Sequence, residues 1–336
     1  MVTGATGFLG RALVKRLLSD ADQVRVLVRK PAQAHELTAS GAVPLIGDIT
    51  DRAAVELALD GVEVVYHLAG KLLEPGQAES EYRRIHVDGT RNMLDACSEL
   101  MTLERFVHCS TTGVLGTTGP TPANEEAPMR PTNVYEATKA EAETAVRKAM
   151  NGGLSAAIVR PGLVYGPGDW HLAKFFGTVL RRRFRPIGRQ NVFLHPVYID
   201  DMTEAFVRCG SAPQAAGECF HIAGPEPVSL RRLAEAIAHE GGVAPPSGHI
   251  PLSVALVAAA CGDALPARIR HLAPLTRSRL DFLTHSRVYD VSKARELLGF
   301  EAATDLERGV RQTLRWYRTQ SSRLPAVPSE PVALAE

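Results

Sequence analysis

Tyr135 and Lys139 are the two residues whose types and spacing most directly suggest chemistry. They stand at positions i and i+4 near the start of a helical pattern that runs to about Met150, so both project from one helical face. A free phenol titrates at about pH 10 and is a poor acid or base at neutral pH. A nearby ammonium group favours the phenolate and lowers the pKa of the phenol. The pair therefore predicts a phenol that exchanges a proton with a substrate oxygen.

Hydroxyl side chains follow the strand-like run Arg105–Cys109, which precedes this helix in the chain. Either Ser110 or Thr111 is suited to hold a substrate oxygen beside the phenol of Tyr135. The spacing Tyr-x-x-x-Lys also occurs by chance, usually as an exposed pair. The chemical interpretation therefore depends on what the rest of the chain places around these residues.

A glycine-rich turn at the start of the chain supplies that context. Gly4, Gly7 and Gly10 are spaced at i, i+3 and i+6, and Thr6, Phe8 and Leu9 stand among them. A helical pattern follows as far as Asp20. Glycines permit a tight turn and a close approach of backbone to phosphates, and the helix start provides free N–H groups, so we expect these six residues to bind a dinucleotide. Only Met1–Thr3 precede the turn, so either the first strand is truncated or the natural start lies upstream.

The end of the second strand bears on which dinucleotide is bound. Residues 24–28 form a β-rich run, and Arg29 and Lys30 follow it where an NAD site usually has Asp or Glu. Two cations there attract a 2′-phosphate, so NADP(H) is favoured over NAD(H). The alternative is that both cations are simply solvated.

Strands and helices alternate through the first half of the chain. A third strand over residues 43–46 leads to Asp48 and Ile49, where we expect the adenine, and Thr50 or Asp51 caps a helix over 52–59. An apolar run over 62–68 ends in Leu68-Ala69-Gly70, small enough for a cofactor to approach, and a helix over 82–97 follows. This order predicts an α/β fold, a Rossmann-type doubly wound parallel sheet.

Composition excludes several classes of function. The 336 residues contain 38 Lys and Arg against 37 Asp and Glu, so no bulk charge attracts nucleic acid or an anionic membrane. The five cysteines are scattered without metal-ligand spacing, which predicts reduced thiols and no metal site. No signal-peptide pattern precedes the glycine turn, and the apolar run 254–261 is too short to span a bilayer. We therefore expect a cytoplasmic protein without stable membrane insertion.

The pattern changes after the first half. We predict a dinucleotide-binding domain over 1–168, a smaller α+β substrate-binding region over 169–318 with some segments returning to the first domain, and a disordered tail over 319–336. The cluster Arg181–Arg185 is a solvated face or a site for an anionic substrate group. An amphipathic helix is predicted over 228–239. The stretch 251–283, which carries Arg268, Arg270, Arg277 and Arg279, forms a lid over the substrate or packs helix on helix.

Several motifs in this order resemble the extended short-chain dehydrogenase/reductases of the NAD-dependent epimerase/dehydratase type. These are the glycine turn, Gly47-Asp48, the sequence HLAG at 67–70, STT at 110–112, Tyr135 with Lys139, RPGLVYGPG at 160–168, HPVYIDD at 195–201 and YDVSKARELLGF at 289–300. The resemblance covers the chain to about Arg318.

The resemblance assigns roles to matching residues. It implies that Tyr135 is the acid/base, that Lys139 binds the nicotinamide ribose, and that Thr111 is the catalytic hydroxyl with Ser110 as fallback. Pro161, Gly162 and Val164 would line the nicotinamide. It also implies a possible homodimer. Where the family often has Asn before Val-x-Gly-Thr, this chain has His86, which substitutes for that Asn or only packs.

Three functions fit the resemblance. The leading one is NAD(P)-dependent reduction of a ketone, or oxidation of a secondary alcohol, on a fairly apolar small molecule, as in the 3β-hydroxysteroid dehydrogenase and dihydroflavonol reductase branches. The second is a nucleotide-sugar epimerase or dehydratase, but the residues that often hold the diphosphate end are replaced around Leu163 and Leu194. The third is a cofactor-binding subunit without catalysis, which intact Tyr135 and Lys139 oppose.

Overall fold

Thirteen strands and thirteen helices are found in the described part of the chain, which in this computed structural model comprises residues 1–20, 23–74, 76–266, 269, 273 and 275–320. The strands are β1 Val2–Thr3, β2 Arg25–Val28, β3 Val43–Ile46, β4 Val64–His67, β5 Arg105–Cys109, β6 Gly119–Ala123, β7 Ala156–Pro161, β8 Leu163–Tyr165, β9 Phe193–Leu194, β10 Pro196–Tyr198, β11 Cys219–Ile222, β12 Val228–Ser229 and β13 Arg287–Tyr289. The helices are α1 Phe8–Ser19, α2 Pro31–Ala39, α3 Arg52–Leu59, α4 Glu79–Arg83, α5 Gly89–Ser98, α6 Val134–Asn151, α7 Ala173–Leu180, α8 Ile199–Ser211, α9 Leu230–Glu240, α10 Leu252–Ala264, α11 Arg277–Thr284, α12 Ser292–Leu298 and α13 Leu306–Thr319.

Seven parallel strands form the central sheet in the order β11-β7-β5-β4-β1-β2-β3. Strand β1 has only two residues, yet it pairs with β2 on one side and β4 on the other. The chain reverses direction across the sheet between β1 and β4, and such a reversal opens a crevice at the carboxyl ends of the strands. The predicted doubly wound parallel sheet is confirmed.

Apolar side chains cover both faces of the sheet. On one face, α1 and α8 contribute Leu13, Leu17 and Phe206 to a core that contains Val107 and Val159 of the sheet. On the other face, α3, α5 and α6 pack against it through a second cluster of buried residues, which includes Val55, Met93 and Val146. Burial on both faces explains why the strands are apolar runs without alternation.

A smaller region of helices and short strands lies beyond the sheet. Helices α7, α9 and α13 share a third core through Phe176, Ile237 and Leu314. The strand pairs β8–β10, β9–β12 and β6–β13 form three two-stranded sheets that are separate from the central sheet. Segments from this half also return to the sheet, because β11 pairs with β7 and α12 packs its Ala294 and Leu298 into the first core.

Several boundaries differ from the predicted ones. The helix expected over 82–97 is interrupted by a π-helical turn at Arg84–Asp88, and the one expected from Val228 begins at Leu230 because Val228–Ser229 pairs with β9. The strand expected over 62–68 is β4, Val64–His67. The last helix reaches Thr319, the first residue of the tail predicted over 319–336, and that tail from residue 321 lies outside the described residues. Within the described residues, none of the helices has the length and hydrophobicity needed to cross a membrane.

Candidate active site

The glycine turn lies against the end of β4. Gly4 has a φ of +69°, which side-chain-bearing residues rarely adopt, and a Cβ built there would lie 2.7 Å from the carbonyl carbon of Leu68. Gly7 donates its N–H to the Gly4 carbonyl at 2.9 Å and caps α1. Backbone therefore approaches backbone here, and the N–H groups at the start of α1 face the crevice above β1 and β4.

A cavity of about 410 Å³ lies over this turn, and we call it the cofactor cavity because residues predicted to bind the cofactor line it. Half of the predicted cofactor residues line it: Gly4, Thr6, Gly7, Arg29, Asp48, Ile49, Leu68, Ala69 and Gly70. Sequence reasoning missed the other lining residues, Leu27, Val28, Gln33, Gly47, Lys71, Leu72, Glu74, Glu81, Ile85 and His171. A glycine cradle, a helix N-terminus and apolar walls fit a dinucleotide whose diphosphate lies against the turn.

The remaining predicted cofactor residues do not line this cavity. Phe8, Leu9 and Gly10 form the first turn of α1, where Phe8 and Leu9 pack against the third core. Lys30 is exposed and is the residue preceding α2. Pro161 and Val164 flank Gly162 in β7 and β8, and of these three only Gly162 is found among the residues around the catalytic side chains.

The loop after β3 is fixed by its own hydrogen bonds. Asp48 Oδ1 accepts from the Thr50 backbone N–H at 3.0 Å and from its hydroxyl at 2.8 Å. Burial acts to raise the pKa of Asp48, but these two bonds outweigh it and hold the pKa below its usual value. Of the two candidate caps for α3, Asp51 is the one that accepts the Ala53 and Ala54 N–H groups.

A second cavity, of about 240 Å³, contains the predicted acid/base. Thr111, Tyr135 and Gly162 line it together with residues that sequence reasoning did not select: Leu73, Thr112, Gly113, Asn133, Glu136, Leu163, Leu194, His195, Ser278, Asp281, Phe282, Arg287 and Tyr289. We call this the catalytic cavity. Leu73 belongs to the loop after β4 whose neighbours Lys71 and Leu72 line the first cavity, so this loop borders both.

Tyr135 is held at the start of α6, which Asn133 caps by accepting the Glu136 N–H at 3.0 Å. Burial raises the pKa of Tyr135 above its ordinary value of 10.0, and a hydrogen bond with Thr111 acts in the opposite direction. The sequence led us to expect a lowered pKa. The residues of this chain do not lower the pKa of Tyr135, because the effect of burial on the phenolate outweighs the opposing hydrogen bond with Thr111.

Lys139 lies one turn further along α6 and is buried, as its pairing with Tyr135 required. Its Nζ donates to the carbonyl oxygen of Cys109 at 2.7 Å, at the end of β5. Lys139 does not itself line either cavity, but a Cβ built on Gly70, which lines the cofactor cavity, would lie 3.4 Å from the same Nζ. Burial lowers the pKa of Lys139. This position suits contact with a ribose hydroxyl.

Ser110 and Thr111 have different surroundings. The Ser110 hydroxyl donates to the Glu143 carboxylate at 2.6 Å. The same carboxylate accepts hydrogen bonds from Arg160 Nη2 at 2.7 Å and from Arg160 Nε at 3.0 Å. All three are buried. Thr111 instead lines the catalytic cavity and contacts Tyr135. The geometry therefore favours Thr111 over Ser110 as the catalytic hydroxyl.

His86 is turned inward by the π-helical turn and makes two hydrogen bonds. Its Nε2 accepts the Lys71 backbone N–H at 2.9 Å, which places the ring proton on Nδ1, and Nδ1 lies 2.8 Å from the Thr138 hydroxyl oxygen. Burial and the positive charge of Lys139 lower the pKa of His86 to about 3, so the ring is neutral at physiological pH. Its edge faces the Tyr135 ring at a centroid distance of 5.6 Å. His86 thus joins α6 to the loop after β4.

Helix α11 and strand β13 close the far side of the catalytic cavity. Arg287 Nη2 pairs with Asp281 Oδ2 at 2.5 Å, and its guanidinium lies 5.6 Å from the centre of the Phe282 ring. Among the described lining residues Arg287 is the only Lys or Arg, and the cavity also contains Glu136. Asp281 therefore already neutralises the cation that an anionic substrate would need.

Only part of the predicted lid borders the catalytic cavity, and the arginine cluster does not. Of the stretch 251–283, α11 contributes to the cavity wall, whereas α10 packs on α11 through Ala255, Ala259 and Leu280. Arg268 and Arg270 lie outside the described residues. The cluster Arg181–Arg185 does not line the catalytic cavity. The lining residues of α11 lie inside the stretch 251–283, for which a lid over the substrate was one of two predictions, whereas no local sequence signal marked Arg287 of β13.

Comparison with known proteins decides the family. The NAD dependent epimerase/dehydratase family matches residues 1–223, about two thirds of the chain. The chain belongs to the NAD dependent epimerase/dehydratase family. The predicted resemblance is confirmed, and with it the expectation of a nicotinamide-dependent oxidoreductase.

Relatives within the epimerase/dehydratase family include named reductases. The chain is 29% identical over 315 residues to 4-hydroxy-2-methyl-3-oxo-4-farnesyl-3,4-dihydroquinoline-1-oxide ketoreductase from Stigmatella aurantiaca, with 92% of this chain and 93% of the relative covered. It is 31% identical over 330 residues to 2-alkyl-3-oxoalkanoate reductase from Stenotrophomonas maltophilia, covering 93% and 97%.

Solved structures share the fold. One is UDP-glucuronic acid 4-epimerase from Bacillus cereus in complex with NAD, with a TM-score of 0.74, 22% identity, and 95% of this chain and 98% of that chain covered. At this identity the likeness supports the epimerase/dehydratase fold alone.

Proposed function

We propose that this chain reduces a ketone, or oxidises the matching secondary alcohol, on a fairly apolar substrate, with NADP(H) as cofactor. The observation that carries the proposal is the makeup of the catalytic cavity. Tyr135 and Thr111 supply a proton donor and a hydroxyl in one cavity, and the cavity's Arg287 is neutralised by Asp281. Relatives named as ketoreductase and 3-oxoalkanoate reductase support the same reaction type.

Tyr135, Thr111 and Lys139 have separate roles in the proposed carbonyl reduction. A bound reduced nicotinamide supplies the hydride that the carbonyl carbon receives. Tyr135 donates its proton to the carbonyl oxygen, and Thr111, which contacts Tyr135, holds and polarises the same oxygen. Lys139 places a positive charge between the two cavities, where it binds the cofactor ribose and favours the phenolate that remains.

Arg29 supports the choice of NADP(H). It is exposed at the end of β2 and lines the cofactor cavity. The other cation of this cavity, Lys71, pairs with Glu74 at 3.5 Å, whereas Arg29 forms no ion pair within the described residues. An unpaired guanidinium at the predicted ribose position is available to bind a 2′-phosphate. Glu74 and Glu81 also border the cavity, and the charge of Arg29 acts on Glu81 and on Asp48, so a 2′-phosphate competes with these carboxylates for the guanidinium.

The cavity does not favour a nucleotide sugar. A diphosphate needs cations to offset its charge, and the catalytic cavity presents Glu136 and Asp281 against the single Arg287. The exposed cluster Arg181–Arg185 lies elsewhere. A non-catalytic role is opposed by the joint presence of Thr111, Tyr135 and Lys139 around one site. A cytoplasmic location and a homodimer remain predictions.

The proposal is tested by one assay with two cofactors and two substrate panels. Purified protein is incubated with NADPH or NADH and with either apolar ketones or nucleotide sugars, while reduced nicotinamide is followed by absorbance and sugars are analysed for isomerisation. We expect net loss of NADPH with a ketone and little loss of NADH. Isomerisation of a sugar without net cofactor consumption would identify an epimerase and refute the charge argument.

A further inference from the structure

Helix α10 has an apolar surface that the described part of the chain leaves uncovered. Four of its large side chains are about half exposed or more: Leu252 at 47%, Val254 at 56%, Leu256 at 53% and Val257 at 65%. Only a narrow stripe of small residues, Ala255, Ala259 and Gly262, is buried. Monomeric soluble proteins rarely expose contiguous apolar surface of this kind without a binding role.

The composition around α10 indicates what covers it. The sequence from residue 241 to residue 262 contains no Asp, Glu, Lys or Arg. The helix has 13 residues and is about 20 Å long, too short to cross a hydrocarbon core of about 30 Å. An apolar segment of this length that is not buried in a core is suited to the boundary between lipid and water.

Exposed cations lie at the start of this helix. Arg185 donates to the Ser247 carbonyl oxygen at 2.8 Å, and Pro186 and Gly188 pair with Ile250 through two backbone hydrogen bonds of 2.8 Å. These contacts bring residues 181–185 beside the N-terminus of α10. The four arginines of this cluster, Arg181, Arg182, Arg183 and Arg185, are exposed, and guanidinium groups bind phosphates well.

We propose that α10 and the arginine cluster dock this protein peripherally on a bilayer that contains anionic lipids. The apolar side chains enter the boundary of the acyl region while the arginines bind headgroup phosphates. A second copy of the chain fits less well, because a two-fold interface built on this surface would bring two arginine clusters together. The docking uses α10, which is distinct from a membrane-spanning helix, and it uses the local charge of the arginine cluster, since the chain as a whole is nearly neutral. It does not rest on the proposed function.

Docking has a consequence for substrate access that does rest on the proposed function. Helix α10 packs on α11 through Ala255 and Ala259 against Leu280, and α11 places Phe282 in the wall of the catalytic cavity. A bilayer on α10 is therefore one helix away from that cavity. An apolar ketone dissolved in the bilayer could reach the cavity with little exposure to water.

Vesicle sedimentation tests the docking with the full chain. Vesicles of phosphatidylcholine alone are compared with vesicles containing roughly one third phosphatidylglycerol. We expect binding to the anionic vesicles, and a loss of about tenfold or more in the partition coefficient for the Leu256→Ser, Val257→Ser double variant. Arg182→Glu with Arg183→Glu should reduce binding to anionic vesicles by a similar factor. The matched control is Leu57→Ser on α3, where Leu57 is 68% exposed, and it should bind like the wild type.

A second measurement leaves the sequence of α10 unchanged and reports its surroundings through a label. Cys261 is exposed on α10, whereas Cys97, Cys209 and Cys219 are buried and Cys109 is partly buried, so a polarity-sensitive fluorophore can be attached at Cys261. Its emission should shift to shorter wavelength with anionic vesicles. No binding by the wild type, or equal binding by the double serine variant, would overturn the proposal. So would a dimer, detected by light scattering, that the double variant abolishes, because it would assign α10 to a second copy.

Turnover distinguishes failure of docking from failure of the proposed function. The double serine variant should reduce a water-soluble ketone at the wild-type rate, since α10 does not line the catalytic cavity. It should lose activity only toward a ketone presented in anionic vesicles. A wild type that binds vesicles but reduces no ketone would leave docking intact and refute the proposed function instead.

Discussion

The Ser110 hydroxyl donates a 2.6 Å hydrogen bond to the buried carboxylate of Glu143. The neighbouring residue, Thr111, lines the catalytic cavity instead. Successive side chains of an extended segment point to opposite sides, which explains how adjacent hydroxyls come to face different surroundings. One hydroxyl therefore supports the buried ion pair, while the other is available for chemistry.

Exchanging each hydroxyl separately tests this division. Thr111→Val should lower kcat for ketone reduction by about 100-fold, because it removes a donor to the carbonyl oxygen. It should cost only about 1 kcal/mol of unfolding free energy, because the Thr111 hydroxyl also accepts the Gly113 N–H at 3.0 Å. Ser110→Ala should cost about 1.5–3 kcal/mol of unfolding free energy, the usual worth of a hydrogen bond to a charged group. Kinetics and denaturant unfolding of both variants check this. Loss of turnover in Ser110→Ala alone would reverse the assignment.

The buried Glu143–Arg160 pair should be a large contributor to stability. Both side chains are almost completely buried, at 0% and 1% exposure, and join α6 to β7. Glu143→Gln leaves Arg160 without its carboxylate, so we expect a loss of about 3–5 kcal/mol in unfolding free energy at neutral pH. The exposed pair Arg52–Glu56 is the matched control, and Glu56→Gln should cost at most about 1 kcal/mol.

This loss should depend on pH in a defined direction. Burial acts to raise the pKa of Glu143, but the hydrogen bonds and charge of Arg160 and the Ser110 bond outweigh it, so the folded pKa lies below the ordinary value. The stabilisation is therefore present above about pH 4.3, where a free Glu ionises, and is lost as pH falls through the folded pKa. The difference between wild type and Glu143→Gln should shrink on acidification. A constant difference from pH 7 downward would contradict the assigned pKa.

Much of the fold could be predicted because its signals are local. Apolar runs marked the strands of a sheet buried on both faces, and Gly4, Gly7 and Gly10 marked the turn beneath the cavity in which we propose that the cofactor binds. Other features are set by distant residues. The π-helical turn at Arg84–Asp88 has no sequence signature, and β13 reaches the catalytic cavity only because it pairs with β6. Tertiary contacts decide such features, and a single sequence does not reveal them.

Arg29 and Lys30 are adjacent in the sequence, and the sequence alone did not show which of them lines the cofactor cavity. Both were predicted to bind a 2′-phosphate, but only Arg29 lines the cofactor cavity. Lys30 is the N-cap residue of α2 and does not line it. We expect Arg29→Asp to weaken NADPH binding by about tenfold or more and NADH binding much less. Lys30→Asp is the matched control and should have a smaller effect. Fluorescence titration gives the Kd of the wild type and of each variant for NADPH and for NADH, and an equal effect of Arg29→Asp on both cofactors would remove the case for NADP(H).

Removing the phenolic hydroxyl separates binding from catalysis. Tyr135→Phe retains the ring that meets His86 edge-on but lacks the proton donor. We expect kcat to fall by about 10³-fold, within the usual range for a general acid, while the Kd for NADPH changes by less than about twofold. Stopped-flow turnover and fluorescence titration measure the two quantities. Activity that survives in Tyr135→Phe would show that another group donates the proton.

His86 offers a test of whether a histidine replaces the family's usual Asn or only packs. Its Nε2 accepts the Lys71 backbone N–H, and its Nδ1 is hydrogen-bonded to the Thr138 hydroxyl. The loop that it fixes borders both cavities through Lys71 and Leu73. His86→Phe preserves an aromatic ring but removes both hydrogen bonds, so we expect about a tenfold rise in the Kd for NADPH, the equivalent of about one hydrogen bond.

His86→Asn provides the rescue, because its amide can accept from Lys71 and donate towards Thr138, and it should recover most of the lost affinity. Tyr82→Phe is the comparison variant, since Tyr82 Oη accepts the Glu74 N–H of the same loop at 2.8 Å. We expect it to raise the Kd in the same direction. Because the pKa of His86 is about 3, its ring does not ionise between pH 5 and pH 8 in the wild type. Replacing it should therefore leave the pH profile of kcat unchanged over that range. Wild-type affinity in His86→Phe would mean that the ring only packs, because then neither hydrogen bond would matter for the cofactor.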